Sequence, residues 1–135
     1  MRPPSRCLAP SLFAVLAACA TAPPAPAVHR HTHTATLTVA DTGLRPGPHV
    51  AIPTYATVVW RNDTATPIAI EVAAATCNDC DTVLGFAAGD GGASATEVAP
   101  GAVATLCFHD AGSFAFVVRG AGTEHRGTID VGGRR

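Results

Sequence analysis

The sequence predicts an all-β fold, a two-sheet Greek-key sandwich of about seven short strands. Three observations predict it. From residue 35 onward, apolar residues recur with period two in one short stretch after another. Breaks rich in Gly, Pro, Asn and Asp separate the stretches at the spacing a sandwich needs. The chain is rich in Ala, Thr, Val and Gly, and no stretch of ten residues carries helical periodicity.

In the first stretch Leu37 and Val39 alternate with Thr36 and Thr38. Asp41-Thr42-Gly43 and Arg45-Pro46-Gly47-Pro48 break the chain, and Val50 and Ile52 form a short strand ended by Pro53. Val58 and Trp60 share a face of the next strand, with Thr57 and Val59 on the other, before Asn62-Asp63-Thr64 turns it. Ile68, Ile70 and Val72 alternate with Ala69 and Glu71. Residues 85–92 read as a glycine-rich loop and Pro100-Gly101 as a tight turn. Ala104, Leu106 and Phe108 define a strand, and His109-Asp110-Ala111-Gly112 is expected to close a hairpin onto Phe114, Phe116 and Val118. Ile129 and Val131 mark the last strand. One-sided alternation in every strand implies two sheets facing each other across one core.

The first 34 residues follow other rules. Arg2 and Arg6 give a positive leader, and residues 8–18 are apolar. That run is too short to span a bilayer as a helix, which takes about 20 apolar residues, but has the length of a secretory signal core. It ends in Leu16-Ala17-Ala18-Cys19, which resembles the lipobox of bacterial lipoproteins. The resemblance implies that the Cys19 thiol receives a diacylglyceryl group, that the chain is cut before Cys19, and that the new amino terminus is acylated. With several acyl chains, at about 0.8 kcal/mol per buried methylene, anchoring is nearly permanent. Ala20 in place of Asp implies the outer membrane. Residues 1–18 are thus a lipoprotein signal peptide and 19–34 a tether rich in Pro, Ala and His. Residues 35–132 form the domain, and 133–135 a tail. Extended at about 3.1 Å per residue, the tether reaches some 40 Å from the lipid.

Without residues 1–18 the chain has seven arginines and ten acidic residues, a net charge of −3 with His neutral. No basic cluster is present, which argues against a nucleic-acid partner. No Ser-His-Asp arrangement, paired carboxylates or phosphate-binding loop is visible, so the sequence reads as non-enzymatic.

Five segments, taken in order, resemble the cupredoxin family, the fold of plastocyanin and azurin. They are Leu44-Arg45-Pro46, Val58-Val59-Trp60-Arg61-Asn62-Asp63, Val98-Ala99-Pro100-Gly101, residues 107–116 and residues 126–131. The resemblance spans roughly residues 34–132. A typical member binds type 1 copper through two His, one Cys and a weak axial Met, a soft donor set suited to both copper oxidation states. By motif position the first His corresponds to Ile68, the Cys to Val118, the second His to Ala121, and the axial ligand to His125. The resemblance therefore implies a cupredoxin-like sandwich without the blue copper site.

The domain keeps Cys77, Cys80 and Cys107. In an oxidising compartment one disulfide is expected, joining Cys107 to Cys77 or Cys80, or lying within Cys77-Asn78-Asp79-Cys80, and leaving one thiol over. A bridge to Cys107 closes a loop of about 30 residues and contributes roughly 3 to 4 kcal/mol. By resemblance to the family topology, these cysteines lie toward the end opposite the usual copper pole. Two alternatives stay open. Cys77, Cys80, Cys107 and His109 make a Cys3His set able to hold copper or zinc, with Cys107 and His109 on one side of a strand. Cys77 and Cys80 are also the spacing of a thiol redox pair, although Asp79 and Asp81 raise rather than lower a thiol pKa. His29, His31 and His33 alternate in the tether, where they read as a solvated linker or a loose metal site, and His49 reads as a surface loop residue.

The leading expectation is a lipid-anchored, non-enzymatic module of the bacterial cell envelope, facing the periplasm or on the outer membrane. It acts as a binding or structural domain for an envelope protein or ligand. The alternatives are a copper-binding or electron-transfer protein with an unconventional Cys/His site, and a thiol redox protein using Cys77 and Cys80.

Overall fold

The computed structural model describes residues 33–74, 83–120 and 122–132. Ten strands run through them: β1 (His33–Ala40), β2 (Gly43–Arg45), β3 (His49–Ile52), β4 (Ala56–Asn62) and β5 (Ile68–Val72). β6 (Ala87–Gly89), β7 (Gly92–Val98), β8 (Val103–Phe108), β9 (Gly112–Gly120) and β10 (Thr123–Val131) follow. One sheet has the order β2-β1-β4-β8, the other β3-β10-β9-β5-β7-β6. β1 runs parallel to β4, and β3 parallel to β10; the remaining pairings are antiparallel.

The alternation read from the sequence is the alternation of burial. Leu37 and Val39 of β1, Val58 and Trp60 of β4, and Ala104, Leu106 and Phe108 of β8 face inward from the first sheet. Ile68, Ile70 and Val72 of β5, Phe116 and Val118 of β9, and Ile129 and Val131 of β10 face them from the second. Trp60 is fully buried, with its ring 5.2 Å from Phe86 and edge-on to Phe116 at 6.1 Å. Gly127 sits on the inward face of β10, where a Cβ would lie 2.3 Å from both the Phe116 ring and the Pro48 carbonyl oxygen. Its bare backbone leaves room for the Phe116 ring, and the neighbouring Thr128 N–H donates to that same carbonyl at 2.8 Å.

Several expectations are corrected. The strands number ten among the described residues rather than about seven, and β1 opens at His33. His49 begins β3 instead of lying in a loop. Residues 85–92 include β6, and β7 follows directly as a full strand. β7 hid because its alternation is broken. Ala93 and Ala95 face the core, so period two would send Glu97 inward as well. The pairing instead shifts by one residue between Ile68↔Val98 and Ile70↔Ala95. Glu97 takes φ +57° at that bulge and stays exposed, while Val98 is buried in its place. β8 and β9 do not form a hairpin: β8 belongs to the first sheet and β9 to the second, so residues 109–111 arch across the core.

Asn62 is the densest polar node. It is fully buried at the end of β4. Its side-chain amide donates to the Thr66 carbonyl at 2.8 Å and the Val98 carbonyl at 2.9 Å. Its side-chain oxygen accepts from the Thr64 N–H at 2.9 Å and the Thr64 hydroxyl at 2.7 Å. An Asn has two donors and two acceptor lone pairs, and all are used. Its backbone adds a bond to Ala102 and one from Gly101. The loop between β4 and β5 and the Pro100-Gly101 turn are thus pinned to one side chain.

Candidate functional site

The strand registers define two poles. At one, His33 pairs with Ala56 and Ala56 with Phe108; at the other, Val39 pairs with Asn62. The described positions read from the family resemblance fall at the Asn62 pole. Ile68 opens β5 there, Val118 is two residues from the end of β9, and His125 is paired with Val118 on β10. His125 lies on the same face of β10 as Gly127, Ile129 and Val131, so strand alternation points it inward, and it is half-buried. These residues border a cavity of about 180 Å³ together with Val39, Ala40, Asp41, Thr64, Thr66, Gly120 and Thr123.

Each wall has a local cause. Gly120 admits no side chain: a Cβ would stand 2.7 Å from Ile68 Cγ2 and 3.3 Å from the Pro67 carbonyl oxygen. The Thr64–Thr66 wall is held by Asn62, and the single Thr64 hydroxyl proton has the Asn62 side-chain oxygen at 2.7 Å and the Thr66 carbonyl at 2.8 Å as alternative acceptors. The Thr123 hydroxyl donates to the Gly120 carbonyl at 2.7 Å and closes the β9–β10 turn. The Thr66 hydroxyl oxygen is buried and has no hydrogen-bond partner. Ile68 and Val118 are 3% and 1% exposed and present only hydrocarbon to the cavity. Three of the four positions assigned from the family resemblance, Ile68, Val118 and His125, thus meet at one place, and Ala121 lies outside the described residues. Asn62, which braces this pole, was read only as a turn residue, and Thr66 was not singled out. The signal for Asn62 was its place directly after the inward series Val58 and Trp60, with which it is in phase.

The cysteine-bearing pole is different. Cys107 pairs with Thr57 and, by alternation, points to the outer face of the first sheet, yet the two are 2% and 4% exposed. Cys107 is disulfide-bonded, with its partner cysteine outside the described residues. Cys77 and Cys80 also lie outside them, as do Cys19, His29 and His31. β8 stops at Phe108, so His109 is no longer in strand conformation beside Cys107. The His109 ring instead lies 5.0 Å from that of Tyr55, which adopts φ +59°. Among the described residues no three His, Cys, Asp or Glu side chains gather as a metal-binding group.

On the outer face of the second sheet, Arg119 bridges Glu71 at 2.8 Å and Glu124 at 2.9 Å, and Arg126 reaches Glu124 at 2.6 Å. The hydrogen bond from Arg119, and then that from Arg126, hold the Glu124 carboxyl below its ordinary range. The Glu71 hydrogen bond and then that of Glu124 push the Arg119 guanidinium up.

The two-sheet arrangement is the amicyanin-like cupredoxin fold. The chain superposes on a copper(I) form of a methionine-to-alanine mutant of amicyanin with a TM-score of 0.52 and 21% identity, over 71% of this chain and 79% of that one. A reduced tryptophan-to-tyrosine mutant of amicyanin matches with a TM-score of 0.52 and 19% identity, over 74% and 83%. At such identities the likeness defines the fold alone. No protein-family model and no curated protein sequence matches the chain.

Proposed function

We propose that this chain is a lipid-anchored module of the bacterial cell envelope, non-enzymatic and without a type 1 copper site, that acts as a binding or structural domain. One observation carries the reading. At the pole where family resemblance places the copper ligands, Ile68 and Val118 continue the buried faces of β5 and β9 and have no donor atoms. Among the described residues there, only His125 offers an imidazole nitrogen. The colour and redox chemistry of a blue site depend on a copper–thiolate bond in a trigonal His2Cys setting, and these residues do not fit one. The burial of Cys107 and its disulfide support a structural role for the cysteines over the Cys3His metal set, because a bonded sulfur is no thiolate ligand. The leader ending in Leu16-Ala17-Ala18-Cys19 supports the anchor.

The test is to add Cu(II) to the purified chain, remove the excess by gel filtration, and record visible and electron paramagnetic resonance spectra. The expected outcome is no intense band toward the red and no narrow hyperfine splitting. Either signal overturns the reading. A weak ordinary Cu(II) signal that disappears when residues 29–33 are deleted assigns the metal to the tether.

A further inference from the structure

We propose that the disulfide of Cys107 is a redox-controlled latch on β8: closed, it keeps Leu84 paired to that strand, and a small dithiol reductant that opens it lets Leu84 go. The inference is independent of the copper and lipid readings. Three observations carry it.

The first is that two attachments fall on one strand. Cys107 is disulfide-bonded. Past residue 20 the only other cysteines are Cys77 and Cys80, which precede Leu84 by seven and four residues. Leu84 in turn pairs with Thr105 of β8, two residues from Cys107 and on the same face of the strand. With Cys77 or Cys80 as the partner, the sulfur bond and the backbone pair hold neighbouring points of one connection to neighbouring points of β8.

The second is the weakness of the backbone pair by itself. Leu84 and Thr105 exchange two hydrogen bonds, each residue's N–H donating to the other's carbonyl. The pair is an isolated bridge rather than part of a ladder. The Leu84 side chain is 56% exposed, so hydrocarbon burial adds little. Two neutral hydrogen bonds do no more than offset the entropy of fixing the residues that make them. A covalent attachment close by removes most of that cost in advance, because it raises the effective concentration of Leu84 at Thr105.

The third lies on the other side of Leu84. Gly85 follows at φ +78°, a conformation glycine enters and leaves without steric cost. Beyond it Phe86 is half-buried, with its ring 5.2 Å from that of Trp60. Leu84 is therefore strung between Phe86 and the disulfide. With the disulfide open it is held from one side only, across a glycine.

The chemistry is ordinary thiol–disulfide exchange. Cys107 is 2% exposed, so the reductant's thiolate attacks the partner sulfur, and Cys107 leaves as a thiolate that takes up a proton. The reductant's second thiol then displaces the partner cysteine from the mixed disulfide. Two electrons and two protons pass to the chain, and the dithiol ends as a disulfide.

The experiment compares the purified chain, labelled with nitrogen-15, before and after reduction with dithiothreitol. On reduction the amide signals of Leu84 and Thr105 should move, and the relaxation of the Leu84 amide should become that of a disordered residue. Ile129 and Val131 of β10 should stay as they were. Coupling is reciprocal, so weakening the pair must also weaken the disulfide. Leu84→Pro removes one of the two N–H donors and should make the Cys107 disulfide roughly fivefold easier to reduce in a dithiol buffer, as the loss of one hydrogen bond implies. Val50→Ala, in β3 of the other sheet, should leave that equilibrium unchanged. A Leu84–Thr105 pair that persists in the reduced chain overturns the proposal, as does a Leu84→Pro variant with the wild-type equilibrium. Equal shifts for Leu84→Pro and Val50→Ala, or reduction that unfolds the whole chain, overturn it too, because the disulfide would then brace the entire domain rather than Leu84.

Discussion

Replacing Asn62 with Leu keeps the branch at Cγ, enlarges the side chain, and removes every side-chain hydrogen bond the residue makes. Two donations vanish, to the Thr66 and Val98 carbonyls, along with two acceptances, from the Thr64 N–H and hydroxyl. At a net contribution of about 1 kcal/mol per bond the loss is about 4 kcal/mol. Burying hydrocarbon in place of an amide returns roughly 1 to 2 kcal/mol. The Thr66 carbonyl still accepts from the Thr64 hydroxyl, which softens the loss further. The expected destabilisation is therefore about 2 to 3 kcal/mol, or a fall in Tm on the order of 10 to 20 °C for a domain of this size. Urea and thermal melts of the non-reduced chain measure it. A fall below about 4 °C, equivalent to less than 1 kcal/mol, would refute the view that Asn62 is a structural hub. Asn62→Asp adds a sign test. Its carboxylate would face two carbonyl oxygens in a buried site, so its folded pKa should rise above the unfolded value. The variant should then be closest to wild type in acid and lose stability as pH climbs through that raised pKa.

Cys19→Ser should leave the precursor uncut, and labelled palmitate fed to an expressing bacterium should enter only the wild type; equal labelling of both refutes the lipobox reading. Peptide mapping without reduction should find Cys107 joined to Cys77 or Cys80, and Cys107→Ala should lower stability by about 3 kcal/mol. Alkylation of Cys77, Cys80 and Cys107 alike on the non-reduced chain would overturn that assignment. Glu124→Gln should flatten the acid limb of the stability profile slightly. The depressed Glu124 carboxyl adds stability above its unfolded pKa, and that stability is lost as pH falls through the folded value; because Glu124 is fully solvated the effect should be small and fade with salt. Melts between pH 7 and about pH 3 at two ionic strengths check it.

The core was legible residue by residue because a half-buried strand writes its burial into the sequence with period two. Leu37, Val58, Ile70, Leu106, Phe116 and Ile129 all face inward as that rule requires. What the rule missed were places where another constraint outranked it. β7 places small alanines inward and then breaks phase at a bulge, so neither size nor period marked it. β6 is three small residues, all exposed, and carries no period to read. The turn after Phe108 has the composition of a hairpin, but composition does not say which sheet the next strand joins; the paired registers do. At the cavity, the resemblance singled out Ile68, Val118 and His125, and the fold brings them together. Asn62 escaped because a polar residue in a turn is ordinarily solvated, and only the three-dimensional path buries it.

The sheet order carries one more consequence, for self-association. A β-sandwich is open to strand-to-strand aggregation at its four lateral edges. Three of them are stubs: β2 and β6 have three residues each and β3 has four. The fourth, β8, has six residues, and Leu84 lies across it. The Leu84 N–H donates to the Thr105 carbonyl at 3.1 Å, and the Thr105 N–H donates to the Leu84 carbonyl at 2.8 Å. That single bridge occupies the middle of the only long edge among the described strands. Its loss would uncover a ladder flanked by the exposed hydrocarbon of Leu84 and Val103. At high local concentration, oligomerisation under mild destabilisation should begin at β8 rather than at the other sheet's edges.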